Sequence, residues 1–173
     1  MFGRAGERKN SYCEMRAKEV AFAAVFAALF TIGDYVSFYN FQIVTSFMVV
    51  CAVYCGIRVL LPATFIYGLI DVIFGMGMYW PLVIDWQVAA LTVWLILHYR
   101  PKRYGLASGG AFLTFTLVDA WIASLMLEAP YFAYLLAGVP FMLRGMLSGF
   151  VLAEILMRIL NKRTGLKSMY NDD

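Results

Sequence analysis

The distribution of lysine and arginine constrains the fold of this chain more than any other feature. Basic residues are confined to the N-terminal arm, the break near Arg58, the segment around Arg100 and the C-terminal end from Arg158 onward. The alternate breaks between apolar runs, at about residues 34–42, 79–85 and 128–131, carry neither lysine nor arginine. This alternation is typical of a helical membrane protein whose basic loops face the cytoplasm. Arg144, inside the last apolar run, is the exception.

The composition also indicates a membrane-embedded chain. Of its 173 residues, 62% are hydrophobic and 14% are charged, which is too little charge to cover a soluble domain of this size. The net charge of +3 is explained by the basic loops, so we expect the lipid bilayer and not nucleic acid as a partner. We predict an all-α polytopic membrane protein with six transmembrane helices and both termini in the cytoplasm.

The apolar runs divide the chain into three parts. We expect residues 1–16 to form a basic cytoplasmic arm, residues 17–161 a six-helix transmembrane domain, and residues 162–173 a cytoplasmic tail. Pro62 is expected in the first turn of the third helix, where its missing N–H costs nothing. The predicted helices run over about Ala17–Gly33, Phe41–Ile57, Leu61–Gly75, Pro81–His98, Leu106–Leu127 and Tyr134–Asn161.

Aromatic residues are concentrated in the breaks that face outward. Aromatic belts form at both membrane interfaces, so an excess on one side indicates a binding site that opens to the outside. Trp80 and Trp86 could stack on a flat ligand while Asp85 contacts its polar edge. Alternatively, Asp85 only stabilises the start of the fourth helix.

Charged residues within the apolar runs must face protein or water, because a charge at mid-helix costs about 2.5–3.5 kcal/mol on insertion scales. Asp119 and Arg144 lie at comparable depths in neighbouring helices. They could form an ion pair, face a substrate cavity, or do both. Asp71 is expected mainly to cap a neighbouring helix end or to bond to loop backbone, with ligand contact as the alternative. Glu154 is expected to pair with Arg158. The candidate substrate-binding residues are Tyr39, Asn40, Trp80, Asp85, Trp86, Asp119, Glu128 and Arg144.

The residue patterns of catalysis and metal binding are missing from the sequence. His98 is the one histidine, and Cys51 and Cys55 have no histidine or further cysteine near them in the sequence. No phosphate-binding loop of the GxxxxGK[ST] type occurs. We therefore expect no enzyme activity, no bound metal and no bound cofactor. Uphill transport would then draw its energy from another chain or from an ion gradient.

Three stretches resemble the substrate-binding S component of energy-coupling factor vitamin transporters. They are AFAAVFAALF (Ala21–Phe30), YCGIRVLLPATFIYGLIDVIFG (Tyr54–Gly75) and PFMLRGMLSGFVLAEILMRIL (Pro140–Leu160). The resemblance implies a multi-pass subunit of the bacterial cytoplasmic membrane that captures a water-soluble vitamin or precursor at the outer face. It also implies partners: a transmembrane coupling protein and two cytoplasmic ATPase subunits, which use the ATP.

The same resemblance implies a docking face on the first helix. It consists of alanines four residues apart, either Ala23 with Ala27 or Ala24 with Ala28. Small side chains let another helix approach closely in lipid. Packing inside the chain is the alternative explanation of these alanines.

Two other functions stay open at this point. A stand-alone proton-coupled transporter of a small metabolite would use Asp119 or Asp71 as its proton site. A small membrane enzyme or an assembly subunit would have no outward-facing pocket.

Overall fold

The computed structural model describes residues 3–37, 42–74, 81–128 and 130–164. All regular structure in these ranges is α-helical, so the predicted all-α fold with six helices is confirmed. The helices are α1 (Gly3–Val36), α2 (Ile43–Cys55), α3 (Ile57–Phe74), α4 (Leu82–Tyr99), α5 (Tyr104–Met126) and α6 (Tyr131–Thr164).

Four of the helices are long and apolar enough to cross a bilayer, namely α1, α3, α5 and α6. Both α2 and α4 are apolar but shorter. With 13 residues, α2 is about 20 Å long, against a hydrocarbon core of about 30 Å. The chain is a membrane-embedded helical protein. Lys18 of α1 and Arg158 of α6 lie on the side that the charge pattern predicts to be cytoplasmic.

The short helix α2 occupies the centre of the bundle. It contacts each of the other five helices, and these surround it in the order α1, α3, α4, α5 and α6. Neighbours in that series pack against each other, whereas α1 and α6 do not pack along their lengths. Most residues of α2 are buried, so its length does not have to match the thickness of the lipid.

Hydroxyl groups hold α2 against α5 and α6. Thr45 Oγ1 and Ser108 Oγ share a hydrogen bond of 2.9 Å, and Ser46 Oγ donates to the Gly149 carbonyl at 3.2 Å. A Cβ on Gly149 would lie 2.8 Å from Ser108 Oγ, so glycine permits this close approach. Small residues and interhelical hydrogen bonds join helices in lipid, where hydrophobic burial supplies little driving force.

Several helix boundaries differ from those predicted. The helix α1 begins at Gly3, within the basic arm, and α6 continues to Thr164. Gly56, with φ of 75°, is the single residue between α2 and α3. Because α3 therefore begins at Ile57, Pro62 lies inside the helix and not in its first turn, and that prediction is wrong.

Candidate ligand-binding cavity

A cavity of about 580 Å³ lies at the end of the bundle opposite the basic loops. We call it the outer cavity. Its volume is within the range of small-molecule sites, about 300–1,000 Å³. Its wall includes Asp34 of α1, Asp71 of α3, Trp86 of α4, Phe115 and Asp119 of α5, and Tyr134 of α6.

Carboxylates from three different helices face the outer cavity. Asp34 and Asp71 also line an adjoining cavity of about 210 Å³, together with Tyr67. Among the described residues of both walls there is no lysine, arginine or histidine. The negative charge of Asp34, Asp71 and Asp119 is therefore not neutralised by any described wall residue.

Trp86 joins the acidic and aromatic parts of the wall. Its ring packs against Phe115, with 4.4 Å between the ring centroids, and against Tyr67 at 5.0 Å. Its Nε1–H donates to Asp71 Oδ2 at 3.2 Å. The carboxylate of Asp71 is thus oriented by a side chain. Our expectation that it caps a neighbouring helix end or bonds to loop backbone stays a prediction, because the loop that follows α3, at residues 75–80, lies outside the described residues.

Asp85 is the most deeply buried acid of this region. Its side chain is 0% exposed, and neither oxygen has a hydrogen-bond partner in the described part of the chain. It lies close enough to Asp119 for the two charges to repel each other. A buried polar group without a partner is costly and rare. Asp85 is not among the residues of the cavity wall, so its contact with a ligand stays a prediction.

The ion pair considered for Asp119 and Arg144 is not formed. Arg144 is exposed, and no ion pair joins it to Asp119 or to another residue that the structure describes. The rotation of α6 explains this. Gly145 faces Phe112 of α5, and successive residues of a helix are turned by about 100°, so the neighbouring Arg144 is turned away from α5. Arg144 is also absent from the wall of the outer cavity.

Glu154 has a different partner from the one expected. Its Oε1 accepts a hydrogen bond from the Gly105 N–H at 3.0 Å, and the expected pair with Arg158 is not formed. This bond places Glu154 at the level of the basic segment that precedes α5. Arg144 precedes Glu154 by ten residues on α6, so it lies about 15 Å nearer the outer end of the helix. If a hydrocarbon core about 30 Å thick begins at that basic segment, Arg144 is near its middle.

The remaining predicted binding residues are not brought together. Glu128 is exposed in the turn after α5, with φ of 51°, and is not part of the wall. Trp86 and Asp119 are the two predicted residues that the wall contains. Tyr39, Asn40 and Trp80 lie outside the described residues.

The four alanines of the predicted docking face point in two directions. Ala23 and Ala27 are buried in the core, at 2% and 0% exposure. Ala24 and Ala28 are exposed. The first pair is therefore explained by packing inside the chain, and only the second pair is available to a partner.

Sequence reasoning overlooked several residues of the wall. Asp34 was assigned to the break after the first apolar run, but α1 continues to Val36, so the criterion that identified Asp71 and Asp119 was not applied to it. Tyr134 and Phe141 are seven residues apart in α6 and so share one face of the helix. Nothing in the sequence distinguishes them from the aromatic residues of that helix that contact lipid.

Comparison with known protein families, with curated proteins and with solved structures finds no match to this chain. The chemistry of the wall must therefore indicate what the site does. Among the described residues, no group of three or more histidines, cysteines or acids is arranged to hold a metal ion. Carboxylates and aromatic rings around a cavity of this size can bind and orient a small molecule.

Proposed function

We propose that this chain is the substrate-binding subunit of a membrane transporter, comparable to the S component of an energy-coupling factor system. It captures a water-soluble vitamin or precursor in the outer cavity and delivers it through a coupling module driven by ATP. The observation that supports this most strongly is the outer cavity, with walls from α1, α3, α4, α5 and α6. In this proposal the chain acts in the bacterial cytoplasmic membrane, is not an enzyme and binds no cofactor itself.

The separation of the cavities favours a binding subunit over a channel. A cavity of about 260 Å³ at the cytoplasmic end is lined by Lys18 and Glu19 and shares no wall residue with the outer cavity. Between the two ends, the bundle is filled by buried side chains such as Met48, Val49 and Val93. Release to the cytoplasm therefore requires a movement, and a partner subunit that uses ATP would supply the energy for it.

Two exposed features fit the docking of a transmembrane coupling protein. Ala24 and Ala28 form a small-residue face on α1, where another helix can approach closely. Arg144 is exposed on α6 near mid-membrane depth, where a charge facing lipid is costly. A partner that covers α6 would remove that cost by supplying an acceptor for the guanidinium group.

A direct test is mass spectrometry of small molecules that co-purify with the full chain, combined with analysis of the proteins that co-purify with it. We expect one bound small molecule per chain, together with a transmembrane coupling protein and ATPase subunits. A chain that carries no small molecule after gentle purification from its native membrane would contradict the proposal.

Tryptophan substitutions on α1 should separate docking from folding. We expect Ala24→Trp and Ala28→Trp to reduce the recovered ATPase subunits at least tenfold, because a bulky ring keeps the partner helix away, while the bound ligand is retained. Ala23→Trp and Ala27→Trp should instead lower the yield of folded chain, since these positions have no free space. Unchanged recovery with both Ala24→Trp and Ala28→Trp would show that the partner binds elsewhere.

Replacement of Trp86 should weaken ligand binding selectively. Trp86→Ala removes a wall ring and the donor to Asp71, and we expect about a tenfold loss of ligand affinity, which corresponds to about 1.4 kcal/mol. Trp94→Ala is the matched control, because Trp94 stacks on His98 away from the cavity. Equilibrium dialysis with the co-purified ligand measures both. Equal affinities for the two variants would remove Trp86 from the site.

One observation favours a second candidate, a stand-alone proton-coupled transporter. The carboxylates of Asp71 and Asp119 have no basic partner among the described residues, and acids of this kind serve as proton sites in transporters. The two functions differ in their energy source. Uptake of the co-purified ligand into liposomes that contain this chain alone, driven by a proton gradient, would favour the second candidate.

A further inference from the structure

We propose that the ligand of the outer cavity is an organic cation with a flat apolar body. This inference rests on the proposed function, since it names the chemical class of the molecule that the same cavity binds.

The first argument is the charge of the wall. Asp34, Asp71 and Asp119 contribute three carboxylates from α1, α3 and α5, and the described wall contains no basic side chain. Repulsion among carboxylates is stronger at the membrane-embedded end of a bundle than in water, because the surroundings have a low dielectric constant. A cation in the cavity relieves this repulsion, whereas an anion adds to it.

The second argument comes from buried polar groups. The Tyr67 hydroxyl is buried beside the Asp34 carboxylate, and Tyr67 lines the adjoining cavity with Asp34 and Asp71. Both oxygens of the buried Asp85, close to Asp119, have no hydrogen-bond partner in the described part of the chain. Folded proteins rarely leave such groups unsatisfied. A donor-rich or positively charged ligand would compensate them at this end of the bundle.

The third argument is the aromatic content of the wall. Trp86, Phe115, Tyr134 and Phe141 all line the outer cavity. The face of an aromatic ring attracts a cation, and cages of such rings recognise quaternary ammonium groups. The same rings can stack on a planar ligand. The carboxylates of the wall can thus bind the positive charge of such a ligand, and the aromatic rings can pack against its apolar body.

The size of the cavity excludes a bare inorganic ion as its main occupant. A single ion would fill a small part of about 580 Å³, and the described residues contain no metal-binding group. Arg144, which the sequence placed among the candidate substrate-binding residues, lies outside the wall. An anionic vitamin therefore has no described basic residue to bind.

Three aromatic probes of similar size test the proposal on the purified full chain after its native ligand has been dialysed away. They are benzyltrimethylammonium (a cation), benzamide (neutral) and benzenesulfonate (an anion). Binding is measured by the change in tryptophan fluorescence, since Trp86 is in the wall. We expect the cation to bind at least tenfold more tightly than benzamide, and benzenesulfonate to bind more weakly than either.

Charge-neutralising variants identify the groups responsible. Asp71→Asn and Asp119→Asn should each weaken binding of benzyltrimethylammonium about tenfold and change the affinity for benzamide less than twofold. Retained benzamide binding also shows that each variant is folded. Glu19→Gln is the matched control, because it removes one negative charge at the cytoplasmic end. It should leave all three affinities unchanged.

The possible failures are distinguishable. If benzamide or benzenesulfonate binds as tightly as the cation, or if both asparagine variants keep the affinity for the cation, the cation proposal is overturned while the cavity stays a binding site. If none of the probes changes the fluorescence, both the cation proposal and the assignment of the cavity as a binding site are overturned.

Discussion

Gly145→Ala is expected to lower the free energy of unfolding by about 1–3 kcal/mol, although it adds only one methyl group. A Cβ at Gly145 would overlap the ring of Phe112. That ring is fully buried and packs against Phe115 and Phe141, with centroid distances of 6.1 and 5.4 Å. It cannot move aside without disturbing two other rings. The strain therefore falls on the packing of α5 against α6.

Gly138→Ala is the matched control for this prediction. Gly138 lies on the same helix, two turns nearer the outer end, and a Cβ there would have no neighbour within 4 Å. Because alanine is the better helix former, we expect this change to raise the free energy of unfolding by about 0.5–1 kcal/mol. Unfolding by SDS in mixed micelles measures both variants under the same conditions.

A second-site change identifies the cause of the loss. Phe112→Leu shortens the side chain that the new methyl group would meet, so the double variant should be more stable than the sum of the two single changes predicts. Equal stabilities of Gly145→Ala and Gly138→Ala would mean that α5 and α6 are not in close contact at this level.

The topology could be predicted from the sequence because membrane insertion depends on simple chemistry. The length of an apolar run and the side of the membrane on which Lys and Arg lie are properties of whole segments. They predicted the six helices and the three-part division of the chain. The helix in the basic arm was not predicted, because α1 continues to Gly3 through a polar segment. That segment mixes good helix formers such as Glu7 and Lys9 with poor ones such as Gly6. Hydropathy does not report the helix propensity of a charged segment.

The direction of individual side chains could not be predicted in the same way. Ala23 and Ala24 are adjacent and identical, yet one is buried and the other exposed. Their difference depends on how α1 rotates against α2 and α3. The ion pair expected between Asp119 and Arg144 failed for a similar reason. Gly145 packs against Phe112, so Arg144 lies about seven residues, or about 10 Å, below Asp119 along α5. Contact requires a matching depth and two matching rotations, which only packing determines.

The candidate cavity was predictable in part for a related reason. Burial of a charge in lipid is costly wherever it occurs, so acids within apolar runs pointed to Asp71 and Asp119, both of which line the cavity. The aromatic wall of α5 and α6 was not predictable. A ring that faces lipid and a ring that faces a cavity obey the same preference for apolar surroundings.

Asp85 provides the second large expected effect, an increase in stability coupled to a loss of binding. We expect Asp85→Asn to raise the free energy of unfolding by about 1 kcal/mol or more, because it removes an unpartnered buried charge while it keeps the shape of the side chain. Glu154→Gln is the matched control. Since Glu154 accepts a hydrogen bond from Gly105, neutralising it should lower stability.

The gain in stability from Asp85→Asn should be accompanied by weaker binding of benzyltrimethylammonium, several-fold, because one negative charge near Asp119 is lost. SDS unfolding and fluorescence titration of the same preparation measure the two effects together. Functional sites often contain groups that destabilise the fold, and a residue of purely structural value would show losses in both measurements. Lower stability in Asp85→Asn would mean that the carboxylate has a partner that stabilises the empty protein, and the assignment of Asp85 to the charge of the binding site would then be wrong.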